Sequence, residues 1–429
     1  MSNARIAGVQ GRRVWDSRGR PTVEVDVTLE GGAMGRAIAP AGASRGSAEA
    51  VDLRDGGDAF GGLDVRRAIA GIGTVISQEL VGLDSREQEV VDSALVSLDD
   101  TENKARLGGN ATVAVSMATA HAAANVMGVP LWQYLGGNNA GPMPLPEIQI
   151  FGGGAHAAHR VDVQDFMVIA TGAEDFGTAL DWTAEIYRAA GQIMDEQGLL
   201  QGVADEGGYW PAFNTNEAAL DNLMAAIERA GLVPGEQVSI SLDIAASEFG
   251  AAGRYKLGLE KRELDSDALC ELLIGWIERY PIVSIEDPLG EDDETGLRKF
   301  TAAVGDRVQI IGDDYLVTSA KRVEDAVACG ACNALLCKPN QAGTLSEAKA
   351  AADAATKAGF GVIVSARSGE TEDATIVHLA VGWSAPQLKV GSFARSERMA
   401  KWNEGLRVLE ALPGGGRLPS RSLFPWNKV

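Results

Sequence analysis

The chain has 429 residues, 45% of them hydrophobic and 23% charged. That is the profile of a soluble globular protein long enough for two or three domains, or for one large barrel with a smaller partner. Acidic residues outnumber basic ones by 59 to 38, a formal net charge of −21; the average field repels phosphate backbones, which sets nucleic-acid binders aside and means that a bound anion needs local cations or a metal.

Four cysteines are too few for a disulfide framework and suggest a reducing compartment. Cys329, Cys332 and Cys337 lie close together, but no second CxxC or histidine pair completes a zinc site, so they read as small apolar residues of a helix and a strand. Arg5, Arg12 and Arg13 interrupt the amino terminus before any apolar run, so no secretory leader is visible and a cytoplasmic protein is expected. Thr22–Leu29 alternates apolar and polar side chains, the pattern of a half-buried strand; Gly31-Gly32 turns the chain and Met34–Ala39 returns as its hairpin partner. A loop of small residues, Pro40-Ala-Gly-Ala-Ser-Arg-Gly46, comes next, followed by helical patterns at about 63–81, 84–98 and 110–127. Strands followed by helices describe an α+β unit, assigned to residues 1–135. The stretch from Leu107 to Pro146 lacks Asp, Glu, Lys and Arg, yet its Ala, Ser, Thr and Gly content reads as a buried helix packed through small side chains rather than a membrane span. Gly136–Pro142 reads as a linker into a second unit, residues 143–429.

In that second unit short apolar runs alternate with helix-length amphipathic segments. The runs are Pro144–Ile150, Phe166–Ala170, Val238–Leu242, Ile282–Ile285, Val308–Ile311, Ala334–Cys337, Gly361–Val364 and Gln387–Val390. Eight strand candidates with intervening helices predict an α/β fold of the (β/α)8-barrel type; the rival doubly wound sheet lacks the glycine motifs that usually give it a purpose.

What ends those runs carries chemistry. Asp243, Glu286-Asp287, Asp313-Asp314, Lys338, Arg367-Ser368 and Lys389 close six of them. Carboxyl ends of parallel barrel strands share one face, so residues far apart in sequence meet in one pocket. Three carboxylates from consecutive strands, without histidine or cysteine, make a hard oxygen site suited to Mg²⁺. Without a cation, each carboxylate pair at ~4 Å would cost about 4 kcal/mol at an effective dielectric of 20. A lysine beside a metal and other cations has its ammonium form disfavoured and can serve as a base, while the remaining cations hold an anionic substrate. The set suits removal of a proton next to a carboxylate. Asp287 and Asp314, each following a candidate ligand, read as caps of the next turn.

At these residues the chain resembles the enolase family over nearly its whole length. The matching stretches are Asp16-Ser-Arg-Gly-Arg-Pro-Thr-Val-Glu-Val25, Asp205-Glu-Gly-Gly208, Ser284-Ile-Glu-Asp287, Gly312-Asp-Asp314, Asn340-Gln341 and Ser368-Gly-Glu-Thr-Glu-Asp373. The resemblance implies a small α+β capping domain with a mobile lid loop before a barrel that starts ββαα. It implies a Mg²⁺-dependent lyase that takes the carbon-2 proton from 2-phosphoglycerate, or a close analogue, and eliminates the 3-hydroxyl to give phosphoenolpyruvate in glycolysis. By the same resemblance Asp243, Glu286 and Asp313 bind the first Mg²⁺ and Ser44 helps bind a second, recruited with substrate. Lys338 is the base, Glu206 the acid at the hydroxyl, Asp165 its proton-relay partner and His156 the active-site histidine. Gln164 and Ser44 face the substrate, Lys389 its carboxylate, and Arg367 and Ser368 its phosphate. A homo-oligomer, a dimer or a dimer-based octamer, is implied as well, with neither membrane nor nucleic acid as partner.

Four places depart from the family pattern. Ala41 and Arg45 replace Ser and Thr in the lid loop. Asp165 replaces a glutamate, Ala366 replaces a histidine, and Pro339 follows the base. Shortening at Asp165 is expected to lengthen its bond to Glu206 by about 1 Å and weaken proton relay. Two alternatives therefore stand beside the hydratase: a diverged paralogue on a modified phosphoglycerate-type substrate, such as a carboxyphosphonoenolpyruvate synthase, and a catalytically silent scaffold or binding protein.

Overall fold

A computed structural model of the protein describes residues 3–137, 140–412 and 416–427. The amino-terminal part is a three-stranded antiparallel sheet, β1 (Ile6–Trp15), β2 (Pro21–Leu29) and β3 (Met34–Ile38), in that order, with helices that include Arg66–Gly71, Gln88–Asp99 and Gly109–Met127. β2 is the middle strand and is buried on both faces, not half-buried as its alternation predicts. Val23, Val25 and Val27 face the hydrophobic core. Glu24 and Asp26 on the other face are covered by Arg12 and Arg36, their register partners on β1 and β3. The polar half of the pattern is thus paired ionically rather than hydrated.

The charge-free stretch forms the helix Gly109–Met127, buried almost throughout, as its small side chains predict. Those side chains let it approach β3 at backbone distance: a Cβ on Gly35 would lie 2.1 Å from the Ala118 carbonyl oxygen and 2.2 Å from the Ala122 nitrogen. No described helix is long and apolar enough to cross a membrane. Within the expected linker 136–142, residues 138 and 139 lie outside the described residues.

The remaining chain builds a closed eight-stranded barrel. Its first strands are β4 (Leu145–Gly152), β5 (Asp165–Ile169) and β6 (Ser239–Asp243). A small excursion, β7 (Gly250–Ala251), β8 (Arg254–Leu257) and β9 (Arg262–Asp265), pairs with itself outside the barrel. Then come β10 (Ile282–Glu286), β11 (Gln309–Gly312), β12 (Ala334–Cys337), β13 (Gly361–Ser365) and β14 (Gln387–Ser392). The eight apolar runs picked from the sequence are these eight barrel strands, with ends that differ by no more than two residues. β4 and β5 precede two helices, Phe176–Glu196 and Asn216–Arg229, before β6, and β5 runs antiparallel to both neighbours, so the barrel opens ββαα. All four cysteines are free, with Cys329 at a helix end and Cys337 on β12.

Candidate active site

The barrel topology delivers the polar strand ends to one mouth. Asp243 and Glu286 are the last residues of β6 and β10, and Asp313 and Lys338 directly follow β11 and β12. Pro339 does not disturb Lys338: it takes the first position of a one-turn helix, Pro339–Ala342, where a missing N–H costs nothing. Lys389 lies inside β14, which continues to Ser392 rather than ending at the lysine. Asp165 reaches the same mouth by another route. Because β5 is antiparallel, its first residue sits where the other strands finish, paired in register with Asp243.

Two lysines balance the three carboxylates. Lys389 Nζ lies 2.7 Å from Glu286 Oε2, 3.2 Å from Asp243 Oδ2 and 3.4 Å from Asp165 Oδ2. Lys338 Nζ donates to Asp313 Oδ2, whose other oxygen accepts from Gln341 Nε2 at 2.8 Å. Asp243, Glu286 and Asp165 therefore converge on one ammonium, while Asp313 faces the second. Burial, then Asp243, pushes the Glu286 carboxyl well above its ordinary range, against the pull of Lys389. Burial opposes the charge on Lys338, but Asp313 and Glu286 together outweigh it and hold the ammonium above its ordinary value. Arg367 and Lys389 press the Lys338 charge down, but not enough to offset the carboxylates; the lowered value expected from sequence is that of the lysine beside a bound metal.

The other side of the mouth is a hydrogen-bonded chain. His156, in the single turn Gly154–Ala157 after β4, contacts Asp165 Oδ1 through Nδ1 at 2.9 Å and Ser368 Oγ through Nε2 at 2.9 Å. Its Nε2 is 3.7 Å from Glu206 Oε1. Burial resists a charge on this ring, but Asp165 and Glu206 overcome it and raise His156 to about 9. Among the described residues no hydrogen bond joins Asp165 to Glu206. The relay expected between them is not simply stretched, because His156 lies between them and Asp165 is held by His156 and Gln149.

The small-residue loop closes over the site. Ala41 and Gly369 exchange backbone hydrogen bonds, Ala43 N–H donates to Ser368 Oγ, and Arg367 donates to the Ser44 carbonyl at 3.0 Å. Gln164 Nε2 contacts Ser44 Oγ at 3.4 Å and Asp243 Oδ2 at 3.1 Å. Ser44, His156, Gln164, Asp165, Glu206, Asp243, Lys338, Arg367, Ser368 and Lys389 line one cavity of about 20 Å³. Ala366 lines it too. Arg45 does not: it extends outward to within 3.9 Å of Asp52.

Several partners were not legible in the sequence. Glu49 forms a two-pronged pair with Arg367, at 2.9 and 3.2 Å, and offsets the burial of that guanidinium. Asp287 is not a cap of its own turn. It accepts the backbone N–H groups of Asp313 and Asp314, each at 2.9 Å, and so fixes the loop that presents Asp313. Arg398 and Lys401, fully buried on the helix Ser396–Ala411, donate to the carbonyls of Arg367, Ser368 and Thr371. Each such pairing spans tens to hundreds of residues; the only signal available beforehand was that a buried Arg367 must have a counter-charge. Among the described residues two trios bring donor atoms within 4.8 Å of one another, His156–Asp165–Glu206 and Asp287–Asp313–Asp314, both buried; the trio expected from sequence, Asp243–Glu286–Asp313, is not one of them.

A closed barrel with carboxylates, lysines and an arginine at one mouth, behind an α+β cap, defines a metal-assisted acid–base catalyst of the enolase family, and the chain belongs to that family. The family model for the enolase N-terminal domain matches residues 6–135, and that for the enolase C-terminal TIM barrel domain matches residues 141–422. A relative described as Enolase 1, from Desulfitobacterium hafniense (strain Y51), is 46% identical over 427 residues, covering 99% of this chain and 98% of that one.

Proposed function

We propose that the chain is a Mg²⁺-dependent hydro-lyase that removes the carbon-2 proton of 2-phosphoglycerate and eliminates the 3-hydroxyl to give phosphoenolpyruvate. The observation that carries this is the pairing of Lys338 with Asp313 and of Lys389 with Asp243 and Glu286 at one barrel mouth. The donor set fits the ion: three buried carboxylates offer only hard oxygen, and two of them already share one cation. Asp243, Glu286 and Asp313 would hold one Mg²⁺, and Ser44 would join a second that arrives with substrate. Bound there, Mg²⁺ supplies positive charge against substrate carboxylate oxygens as negative charge builds on them.

The protein's own groups do the rest. Lys338 Nζ accepts the carbon-2 proton, and Arg367 and Lys389 favour its neutral form once Asp313 is engaged elsewhere. Lys389 faces the substrate carboxylate. Arg367 and Ser368 hold the phosphate, and the Arg398 contacts keep their backbone in place. Glu206 protonates the departing hydroxyl. His156, hydrogen-bonded to Asp165, takes the relay position that a longer acid at 165 would fill. Ala41–Gly46 acts as a lid that opens for substrate and excludes water when shut.

Residues 1–135 form the capping unit and residues 143–429 the catalytic barrel. The protein works in glycolysis, in the cytoplasm, as a homo-oligomer, a dimer or a dimer-based octamer. Neither the modified-substrate paralogue nor the silent scaffold is favoured by any particular observation, since the changed positions leave the lysines, carboxylates and arginine together at one mouth. Incubation with 2-phosphoglycerate and Mg²⁺, monitoring phosphoenolpyruvate absorbance and deuterium exchange at carbon 2, should give both signals. Exchange without product would require a different substrate, and neither signal would end the proposal.

A further inference from the structure

The barrel interior holds one carboxylate that the chemistry above leaves unused. Glu147 lies on β4 beside Lys389 of β14, its register partner in the parallel pair, and is fully buried. Its Oε1 accepts the Ser241 hydroxyl, while its Oε2 has no hydrogen-bond partner. An orphaned oxygen on a buried acid is costly, and an apolar residue would fill this place more cheaply. Charge is what faces it. Lys389 is the strongest influence on this carboxyl after burial, and Glu147 is in turn among the acids that stabilise the Lys389 ammonium. The two are not in contact, because Lys389 is drawn to Glu286, Asp243 and Asp165.

We propose that Glu147 is a positioning residue, the counter-ion to which Lys389 turns when a divalent cation takes Asp243 and Glu286. The inference rests on those two acids being metal ligands, as proposed above. A divalent ion on that pair removes two of the three carboxylates that neutralise Lys389. A buried ammonium left with Asp165 alone would oppose metal binding. Register partners on adjacent strands are about 4.8 Å apart and share a face, so the free oxygen of Glu147 lies within the swing of the flexible lysine stem. Ser241 holds the first oxygen and thereby aims the second. Turned in this way, Lys389 remains at the mouth, ready for the substrate carboxylate.

The test is Mg²⁺ titration by calorimetry on full-length wild type, Glu147→Gln and Glu147→Met, with thermal unfolding measured with and without Mg²⁺. Without Mg²⁺ both variants should have a stability close to that of wild type, since removal of the buried acid with its orphaned oxygen offsets the altered contact to Ser241. Their Mg²⁺ affinity should fall roughly ten- to hundred-fold, the usual cost of losing a partner behind a metal site, and the rise in Tm on adding Mg²⁺ should shrink. In a Lys389→Met background Glu147→Gln should have no further effect on Mg²⁺ affinity. If Glu147→Met does not fold, Glu147→Gln keeps the shape and removes only the charge. Unchanged Mg²⁺ affinity in a folded Glu147→Gln protein overturns the inference while leaving the proposed metal site intact. A wild type whose Mg²⁺ binding is absent, or is unaffected by Asp243→Asn, removes the metal site and this inference with it.

Discussion

Lys338→Ala separates the two jobs that the structure gives this lysine. It is the base, and it is also the cation that neutralises the buried Asp313. Breaking a buried ion pair by deleting one partner typically costs ~3–5 kcal/mol. Asp313 keeps its hydrogen bond from Gln341 and the attraction of Arg367, so the lower end, about 3 kcal/mol, is expected without added Mg²⁺. For a chain of 429 residues, an unfolding entropy of ~2.1 cal/mol/K per residue converts this to a fall in Tm of about 3 °C. Mg²⁺ should recover most of that loss, because the freed carboxylate regains a cation. Exchange of the carbon-2 proton should not recover: loss of a general base removes about 10²–10⁴-fold, and proton NMR in D₂O should show no exchange above background. Differential scanning calorimetry with and without Mg²⁺ gives the first quantity. If exchange persists at the wild-type rate, Lys338 is not the base. If the variant is as stable as wild type without Mg²⁺, the Lys338–Asp313 pair is not the charge balance of the site.

Three other outcomes follow from contacts described above. Gly35→Ala should destabilise the protein by about 3 kcal/mol or more, read by urea unfolding, because the new methyl meets helix backbone that cannot step aside. Asp287→Asn leaves one of the Asp313 and Asp314 N–H groups without an acceptor. Calorimetry should show Mg²⁺ affinity lowered by roughly ten-fold or more, while Asp243→Asn should lower it further. His156 should titrate near pH 9 by imidazole NMR in the protein without added metal. Its folded value exceeds the unfolded ~6.5. The stability it contributes is therefore complete below about pH 6.5 and fades as pH rises through about 9, a slope that His156→Gln should abolish and that a midpoint below 7 would refute.

The eight barrel strands were readable because each is a short apolar run between amphipathic helices, and the run itself is the buried element. β1 was not read. Gly8, Gly11, Arg12 and Arg13 break its alternation, and its arginines make sense only when Glu24 and Asp26 of the neighbouring strand are in view. The same division holds in the site. Asp243, Glu286, Asp313 and Lys338 could be grouped from sequence, since parallel strands end on one face. Asp165 could not be placed by that rule, because it begins an antiparallel strand; only the family resemblance brought it to the mouth. Glu49, Gln149 and Arg398 act through contacts with residues far away in sequence, and no periodicity records such contacts.

The departures from the family pattern gain a physical order from the two halves of the mouth. The lysine–carboxylate half balances charge with direct ion pairs, so altering any member leaves a buried charge exposed to the full desolvation penalty. The half around His156 is joined by hydrogen bonds through an imidazole, which reaches Asp165 with one nitrogen and approaches Glu206 with the other. A ring that spans two acids tolerates one of them being shorter by a methylene, provided the pair still holds the ring. Asp165 is also fixed by Gln149, which ties it to the Gly208 N–H two residues from Glu206. The shorter acid is thus held on two sides, by the imidazole that approaches Glu206 and by the Gln149 amide that also holds the Gly208 backbone. Substitution is cheapest in the half where geometry, not net charge, does the joining.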